Sequence, residues 1–351
     1  MRSIDFVIIL GAGASFADGA PLQKNLINKY FDSIPQEKTE ESQTELINKY
    51  FEMFWGIDIV SGTEDLTSFP TFEDCLGILD TAKNRNENFK LNSKEDLNKF
   101  RNSLIFLIAK TIERELGHGP SVNHEQLVKR LIKEGTLNST AFISFNYDII
   151  IDNILTKLRE LKDLDLDYGI EFMNFDWEKD GNEDSWGKAD PNKSLYLLKI
   201  HGSLNWLYCP TCNQIEITPK TKGAVKAFVK SEKCKTCKTF MEPIIIPPTY
   251  FKDMNNVYLQ QIFQKSDQIL RNAKRIFICG YSLPEADLHI KYLLKRAELL
   301  NQNQPDFFII NNHREKRDAN EEKARFLQFF KNKDKIHYTE LSFENFCKNG
   351  V

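Results

Sequence analysis

The chain contains no apolar run approaching the ~20 residues that a membrane-spanning helix needs. Its opening stretch, MRSIDFVIILGAGAS, does not read as a secretory leader. The apolar part, Phe6 to Leu10, is short and runs straight into glycines with no cleavage-like region. Nor is there a surplus of one charge: 47 Lys and Arg stand against 50 Asp and Glu, a formal net charge of −3. Coating nucleic acid requires a basic surplus, so direct nucleic-acid binding is not expected. Cysteine is too sparse and too clustered for a disulfide framework. Of seven, four form two Cys-x-x-Cys pairs and three are scattered. That distribution suits a metal site in a reducing compartment. These absences lead to the expectation of a soluble, cytoplasmic protein with no membrane partner.

What is present is enough for a core. The apolar fraction is 41% and the aromatic fraction 12%, with 26 Phe, which excludes wholesale disorder. A length of 351 residues favours two modules, or one large module with an insertion.

Several short runs read as strands buried on both faces of a parallel sheet, because they are almost wholly apolar and rich in β-branched residues. They are Ile4–Leu10, Thr140–Phe145, Leu195–Ile200, Lys274–Cys279 and Asp306–Ile310. Each ends in a small or polar cluster: Gly11-Ala12-Gly13-Ala14-Ser15, Asn146-Tyr147-Asp148, His201-Gly202-Ser203, Gly280-Tyr281-Ser282 and Asn311-Asn312. Open parallel sheets bind ligands at the carboxyl ends of their strands, so these clusters should gather along one crevice. Between Pro21 and Gly135 the pattern is helical, without an internal repeat, and predicts an insertion. Pro284, Glu285 and Asp287 suit the first turn of a helix over Ala286–Leu300. Residues 160–190 hold eleven acids against three Lys and read as a solvated loop. The tail from Arg314 reads as helical, with one short strand near Lys335–Leu341.

Gly11-Ala12-Gly13 after a strand is a phosphate-cradle pattern, since glycines let the backbone approach a pyrophosphate. The full dinucleotide fingerprint fails, because position 16 is Phe, and no strand ending in an acid follows about 20 residues on. An ordinary dehydrogenase is therefore not expected, and a tight turn with no ligand is the alternative. His201 at a sheet mouth can act as a general base near neutral pH, or can be a structural histidine. Asn146 and Asp148 alone read as helix capping. Cys209, Cys212, Cys234 and Cys237 form two pairs separated by 21 residues, a strong signal for tetrahedral, structural Zn2+. Between them Lys220, Lys222, Lys226, Lys230 and Lys233 face Glu216 and Glu232, a solvated ribbon or a partner patch. Cys75, Cys279 and Cys347 read as core thiols.

Taken in order, these motifs resemble the sirtuin family. Gly11 to Pro21 is similar to its first signature, GAGxSxxxGxP. Ser144-Phe145-Asn146-Tyr147-Asp148 resembles the TQNxD segment, and Lys199-Ile200-His201-Gly202 the segment with the catalytic histidine. The cysteine pairs follow as a zinc ribbon does, Gly280-Tyr281-Ser282 resembles the later GTS motif, and Asn311 the strand-end Asn near the adenosine ribose. The set spans about 300 residues. Departures are Leu22-Gln23-Lys24 after the first signature, Phe145 in place of Gln, and Pro243 to Phe251 where deacetylases carry a peptide-pairing strand. Pro247 and Pro248 lack backbone donors, which impairs peptide capture by strand addition. The departures, with the FNYD, HGSLNW and GYSLPEADLHI segments, resemble the sirtuin-like branch of bacterial anti-phage systems.

The resemblance implies an α/β fold: a Rossmann-like parallel sheet forming one catalytic domain over residues 1–351, with a helical insertion at 22–135 and a zinc ribbon at 207–241. It implies NAD+ hydrolysis to nicotinamide and ADP-ribose, with NAD as substrate. Asn146, His201 and Asp148 would be catalytic. Gly11, Ala12, Gly13, Ser15, Asn146, Asp148, Gly280, Ser282 and Asn311 would bind the dinucleotide, and the four cysteines Zn2+. It further implies a homo-oligomer with a partner ATPase or nuclease of a defence operon. The alternatives are an NAD-dependent protein deacylase or ADP-ribosyltransferase, and a non-catalytic NAD or ADP-ribose binding module.

Overall fold

The computed structural model describes residues 3–32, 41–59, 69–89, 94–117, 121–162, 165–173, 190, 193–218, 233–245, 256–302, 304–313 and 316–351. At its centre is a seven-stranded sheet. In chain order its strands are β1 (Phe6–Leu10), β2 (Thr140–Ser144), β3 (Asp165–Asp167), β4 (Ser194–Lys199), β8 (Arg275–Cys279), β9 (Asp306–Ile310) and β10 (Ile336–Tyr338). Every pairing is parallel, and the spatial order is β10-β9-β8-β1-β2-β4-β3. Val7, Ile8, Ile9 and Leu10 of β1 are at most 1% exposed. A strand covered on both faces has no use for alternation, which is why FVIIL is continuously apolar.

The order of the strands reverses between β1 and β8. Later strands after β1 step to one side, and those after β8 step to the other. Leu10 pairs with both Ser144 and Cys279, so three strand ends lie level at this switch point. Such a point is where an open α/β sheet leaves a crevice.

A second, antiparallel sheet has the order β6-β5-β7, from β5 (Gly202–Tyr208), β6 (Ile215–Ile217) and β7 (Glu242–Ile245). It leaves the end of β4 at a corner formed by His201 and Gly202. Gly202 has φ +83°, and a Cβ there would lie 2.0 Å from the Ile244 carbonyl oxygen. Only glycine permits that turn.

The helices form two groups. The short α1 (Ala12–Phe16), then α6 (Val122–Lys133), α7 (Ile150–Lys162), α8 (Val257–Leu270), α9 (Leu288–Leu300), α10 (Lys316–Phe329) and α11 (Phe343–Asn349) surround the large sheet. A separate apolar core joins α2 (Leu26–Asp32), α3 (Glu41–Trp55), α4 (Phe72–Asn84) and α5 (Lys94–Leu116). Tyr50, Phe51, Phe72, Phe100 and Phe106 fill it, and Leu204 and Ile245 of the small sheet complete it. The residues expected as an insertion, 22–135, thus divide between two cores, since Leu127, Val128 and Leu131 of α6 pack on the main one.

Two expectations need correction. The helix after Gly280 begins at Leu288, not Ala286: the Asp287 carbonyl accepts its first amide bonds, while the Asp287 side chain accepts from the Tyr281 hydroxyl instead of capping it. The acidic stretch is not solvated at its start: Asp165–Asp167 pairs with β4, and Leu166, Tyr168, Ile170 and Phe172 are buried. Tyr168 and Phe172 pack edge-on against the buried Trp206, at 5.5 and 5.6 Å between ring centroids. Residues 163–164 and 174–189 of that stretch, Lys220 to Glu232, and Pro247 and Pro248 lie outside the described residues. No described helix is long and apolar enough to cross a membrane.

Candidate active site

The turns after β1 and β8 touch, and glycine makes the contact possible. Gly280 has φ +65°, and a Cβ on it would lie 2.1 Å from the Ala14 nitrogen. A Cβ on Gly13 would lie 2.8 Å from the Gly280 Cα. Three backbone amides here are spent within the protein: Gly11 N–H on the Cys279 carbonyl, Gly13 N–H on the Gly280 carbonyl, and Ala14 N–H on the Gly11 carbonyl, at 2.8–3.0 Å. The glycines of the first motif therefore serve the approach of two strand ends.

Beside this junction, a cavity of about 170 Å3 is lined by Gly11, Ala12, Ser15, Asn146, Asp148, His201, Gly280, Tyr281, Ser282 and Asp287 among others. The insertion contributes Leu26, Phe72 and Ile112 to its wall. Seven residues expected to bind dinucleotide thus meet there, together with His201. Gly13 and Asn311 do not line it. Gly13 lies beneath Gly280. Asn311 is buried at the end of β9, where its amide donates to the Tyr281 carbonyl at 3.0 Å and to Glu322 Oε1 at 2.7 Å. Two hollows of about 430 and 450 Å3 lie elsewhere, the first against Glu298, Pro305 and Lys335, the second on α4, and neither meets a strand end of the switch point.

The polar groups form one connected network. The Asn146 amide donates to the Gly11 carbonyl at 2.9 Å and to Ser15 Oγ at 2.8 Å. Because a carbonyl can only accept, this fixes the amide's orientation and leaves Oδ1 as the acceptor. The Ser15 hydroxyl donates to Asp148 Oδ2 at 2.7 Å, and Asp148 Oδ1 accepts from Ile150 N–H at 3.1 Å. Both carboxylate oxygens of Asp148 are thus engaged in holding the loop. The fully buried Lys199 ammonium donates to the Asp148 backbone carbonyl and to Asp152 Oδ2 at 3.0 Å, while Tyr168 donates to Asp152 Oδ1 at 2.9 Å.

His201 is 4% exposed. Its Nδ1 lies 3.1 Å from the Phe145 carbonyl oxygen, so Nδ1 carries the proton and Nε2 the lone pair. Nε2 stands 2.8 Å from Nε2 of His289, at the start of α9. The Tyr281 hydroxyl donates to Asp287 Oδ2 at 2.9 Å. Burial, reinforced by the Asp287 carboxylate, pushes the Tyr281 phenol far above its usual value, so it stays a donor. Lys199, Tyr281, Asp287 and His289 escape the sequence reading. Asp287 and His289 sit two apart where α9 begins, a signal that helix capping absorbs.

The four paired cysteines converge in the small module. Cys209 and Cys237 sulfurs are 3.3 Å apart, Cys212 and Cys234 3.4 Å, and Cys212 and Cys237 3.7 Å, and none is in a disulfide. The Thr239 hydroxyl and amide hold the Cys237 thiol down to about 6, while burial and neighbouring thiols push Cys212 up to about 12. Four close sulfurs, none in a disulfide, are a donor set that a tetrahedral Zn2+ completes, so the cluster is compatible with a zinc module. Cys75, Cys279 and Cys347 are fully buried, as core thiols should be.

No protein-family profile matches the chain, and no curated protein is significantly similar to it. Among solved structures, a Sir2 homologue in complex with NAD is similar over 99% of this chain and 88% of its own, at 14% identity and a TM-score of 0.43. A serine-to-alanine variant of a Sir2 homologue with ADP-ribose matches over 99% and 90%, at 12% identity and a TM-score of 0.41. A Sir2 bound to an inhibitor, 2′-O-acetyl-ADP-ribose and a deacetylated peptide matches over 98% and 91%, at 12% identity and a TM-score of 0.40.

Proposed function

We propose that the chain is an NAD+ glycohydrolase that cuts the bond between nicotinamide and ribose C1′, releasing nicotinamide and ADP-ribose. The observation that carries this reading is the meeting of Asn146 and His201 in one cavity at the switch point of the sheet. The order of motifs, resembling that of the sirtuins, supplies the substrate.

The transition state of this cleavage is oxocarbenium-like, so the site must hold the ribose and admit one water. His201 Nε2, which accepts from His289 Nε2 in this structure, exchanges that bond for one from a ribose hydroxyl or from that water and takes its proton. Asn146, with both amide hydrogens held, presents Oδ1 as the acceptor that orients the attacking water. Asp148 is a positioning residue, because its carboxylate is committed to Ser15 and Ile150. Gly11, Ala12, Ser15, Gly280 and Ser282 line the path of the dinucleotide. Gly13 and Asn311 act from behind, Gly13 by packing the turns and Asn311 by tethering the Tyr281 carbonyl.

The test is incubation with NAD+ while following nicotinamide and ADP-ribose. Consumption that depends strictly on an acylated peptide would instead make the chain a protein deacylase. Tight NAD binding without turnover would make it a binding module. The same reading makes the chain the NAD-depleting effector of a bacterial anti-phage system, held in check by homo-oligomerisation and by a partner ATPase or nuclease. Turnover should then differ between oligomeric fractions and respond to the partner.

A further inference from the structure

We infer that His201, Asp287 and His289 form a binding site for a first-row divalent transition metal inside this cavity, separate from the four-cysteine cluster. One ligand atom from each of the three residues lies within 4.8 Å of the others. They come from two different places: His201 from the corner after β4, Asp287 and His289 from the turn that enters α9. Two imidazoles and one carboxylate converging on one point suit Zn2+, Fe2+, Co2+ or Mn2+, with positions left open to the cavity.

The surroundings are those of a supported ligand set. A metal-binding histidine usually anchors its other ring nitrogen on a carbonyl or carboxylate, which fixes the tautomer. His201 does this through Nδ1 and the Phe145 carbonyl, so its Nε2 lone pair is presented to the site. A ligating carboxylate is likewise held by a hydrogen bond, here from Tyr281 to Asp287 Oδ2. The Phe145 ring packs on both partners, 5.7 Å from the His201 ring and 4.8 Å from that of Tyr281, and shields the group.

The spacing needs only a small adjustment. Two nitrogens on a tetrahedral Zn2+, at about 2.0–2.1 Å each, stand about 3.3 Å apart. The two Nε2 atoms are 2.8 Å apart. The cysteine sulfurs, at 3.3–3.7 Å, need a similar expansion to reach the about 3.8 Å set by Zn–S bonds of about 2.3 Å. His289 is half-buried on the first turn of α9, and rotation of its ring supplies the difference. A cation there would occupy the nitrogen assigned above as the base, so in the hydrolase reading the loaded site is an off state. That consequence rests on the proposed activity, whereas the site itself does not.

The experiment counts metal. The full chain is stripped with chelator, dialysed to equilibrium against Zn2+ and assayed for bound zinc. Two per chain are expected, falling to one in His289→Ala and, independently, in Asp287→Asn. Reloading with Co2+ assigns them. The thiolate site gives sulfur-to-cobalt charge-transfer absorption, and the second ion adds none of it. One zinc in the unaltered chain overturns the inference and leaves the two histidines sharing a proton. Two zincs persisting in both variants also overturn it. The count is independent of NAD+ turnover, so failure of the hydrolase reading and failure of this site are told apart.

Discussion

Lys199 has no exposed surface and is the last residue of β4. Its partner Asp152 is also bonded by Tyr168, and its second bond goes to the backbone of Asp148. Lys199→Met would remove one member of a buried pair and leave the other uncompensated, at a cost of about 3–5 kcal/mol. Urea unfolding should show that loss, whereas a change under about 1 kcal/mol would mean the pair carries little. Asp18 does comparable work at the start of α6. Its Oδ1 accepts from Asn123 N–H and its Oδ2 from His124 N–H, so it caps α6 from a distance, where Ser121 makes no side-chain cap. Burial pushes the Asp18 carboxyl up, but the bonds from the His124 ring and the two amides outweigh it and hold it below its usual 3.8. A depressed carboxyl stabilises the fold fully above that value, and the contribution is lost as pH falls through the lower, folded value. Asp18→Asn should therefore cost about 0.5–2 kcal/mol near neutrality, and the difference from the unaltered chain should shrink in acid below pH 3.8. A difference that persists unchanged down to pH 2 would contradict the assignment.

At the scale of elements, glycine at the switch point has a structural cost that can be measured. Gly280→Ala places a side chain in a left-handed conformation, about 1–2 kcal/mol by itself, and drives Cβ into the Ala14 amide. Unfolding should shift by at least that much, and a wild-type midpoint would show that the turns do not pack as described. The ribbon makes its own prediction. The four sulfurs of Cys209, Cys212, Cys234 and Cys237 are expected to take up one Zn2+, and chelation should then expose the four thiols to alkylation and loosen β5, β6 and β7, while the large sheet keeps its circular dichroism. Thiols that react equally with and without chelator would count against it. The strands of the large sheet are legible in the sequence because both faces are buried, so β1, β2, β4, β8 and β9 are near-continuous apolar runs between turn residues. β3, β6 and β7 are three or four residues long, too short for a period to emerge. β5 is obscured because it follows β4 after only two residues. The glycines of the first motif are legible as a tight turn, but their partner at Gly280 is 269 residues away, a contact that no local pattern encodes.

For the whole molecule, the sheet explains why residues scattered from Gly11 to Asp287 meet in one cavity. A parallel sheet puts every strand's carboxyl end on one side, and the reversal between β1 and β8 opens a gap there. The insertion closes the gap from above, so α2, α4 and α5 set the shape of the cavity around a network supplied by the sheet. Asn146 and His201 are legible as site residues from their places at strand ends. His289 and Asp287 are not, because their relation to His201 depends on how the chain turns after β8 before α9 begins. One measurement reaches directly what this arrangement does to NAD+. The purified full chain is incubated with NAD+ alone, without any acylated peptide, and free nicotinamide and ADP-ribose are quantified beside Asn146→Ala and His201→Ala. Equimolar release of both products, reduced by about 10²–10⁴-fold in the His201 variant and comparably in the Asn146 variant, is the predicted result. A rate unchanged by either substitution would contradict the account.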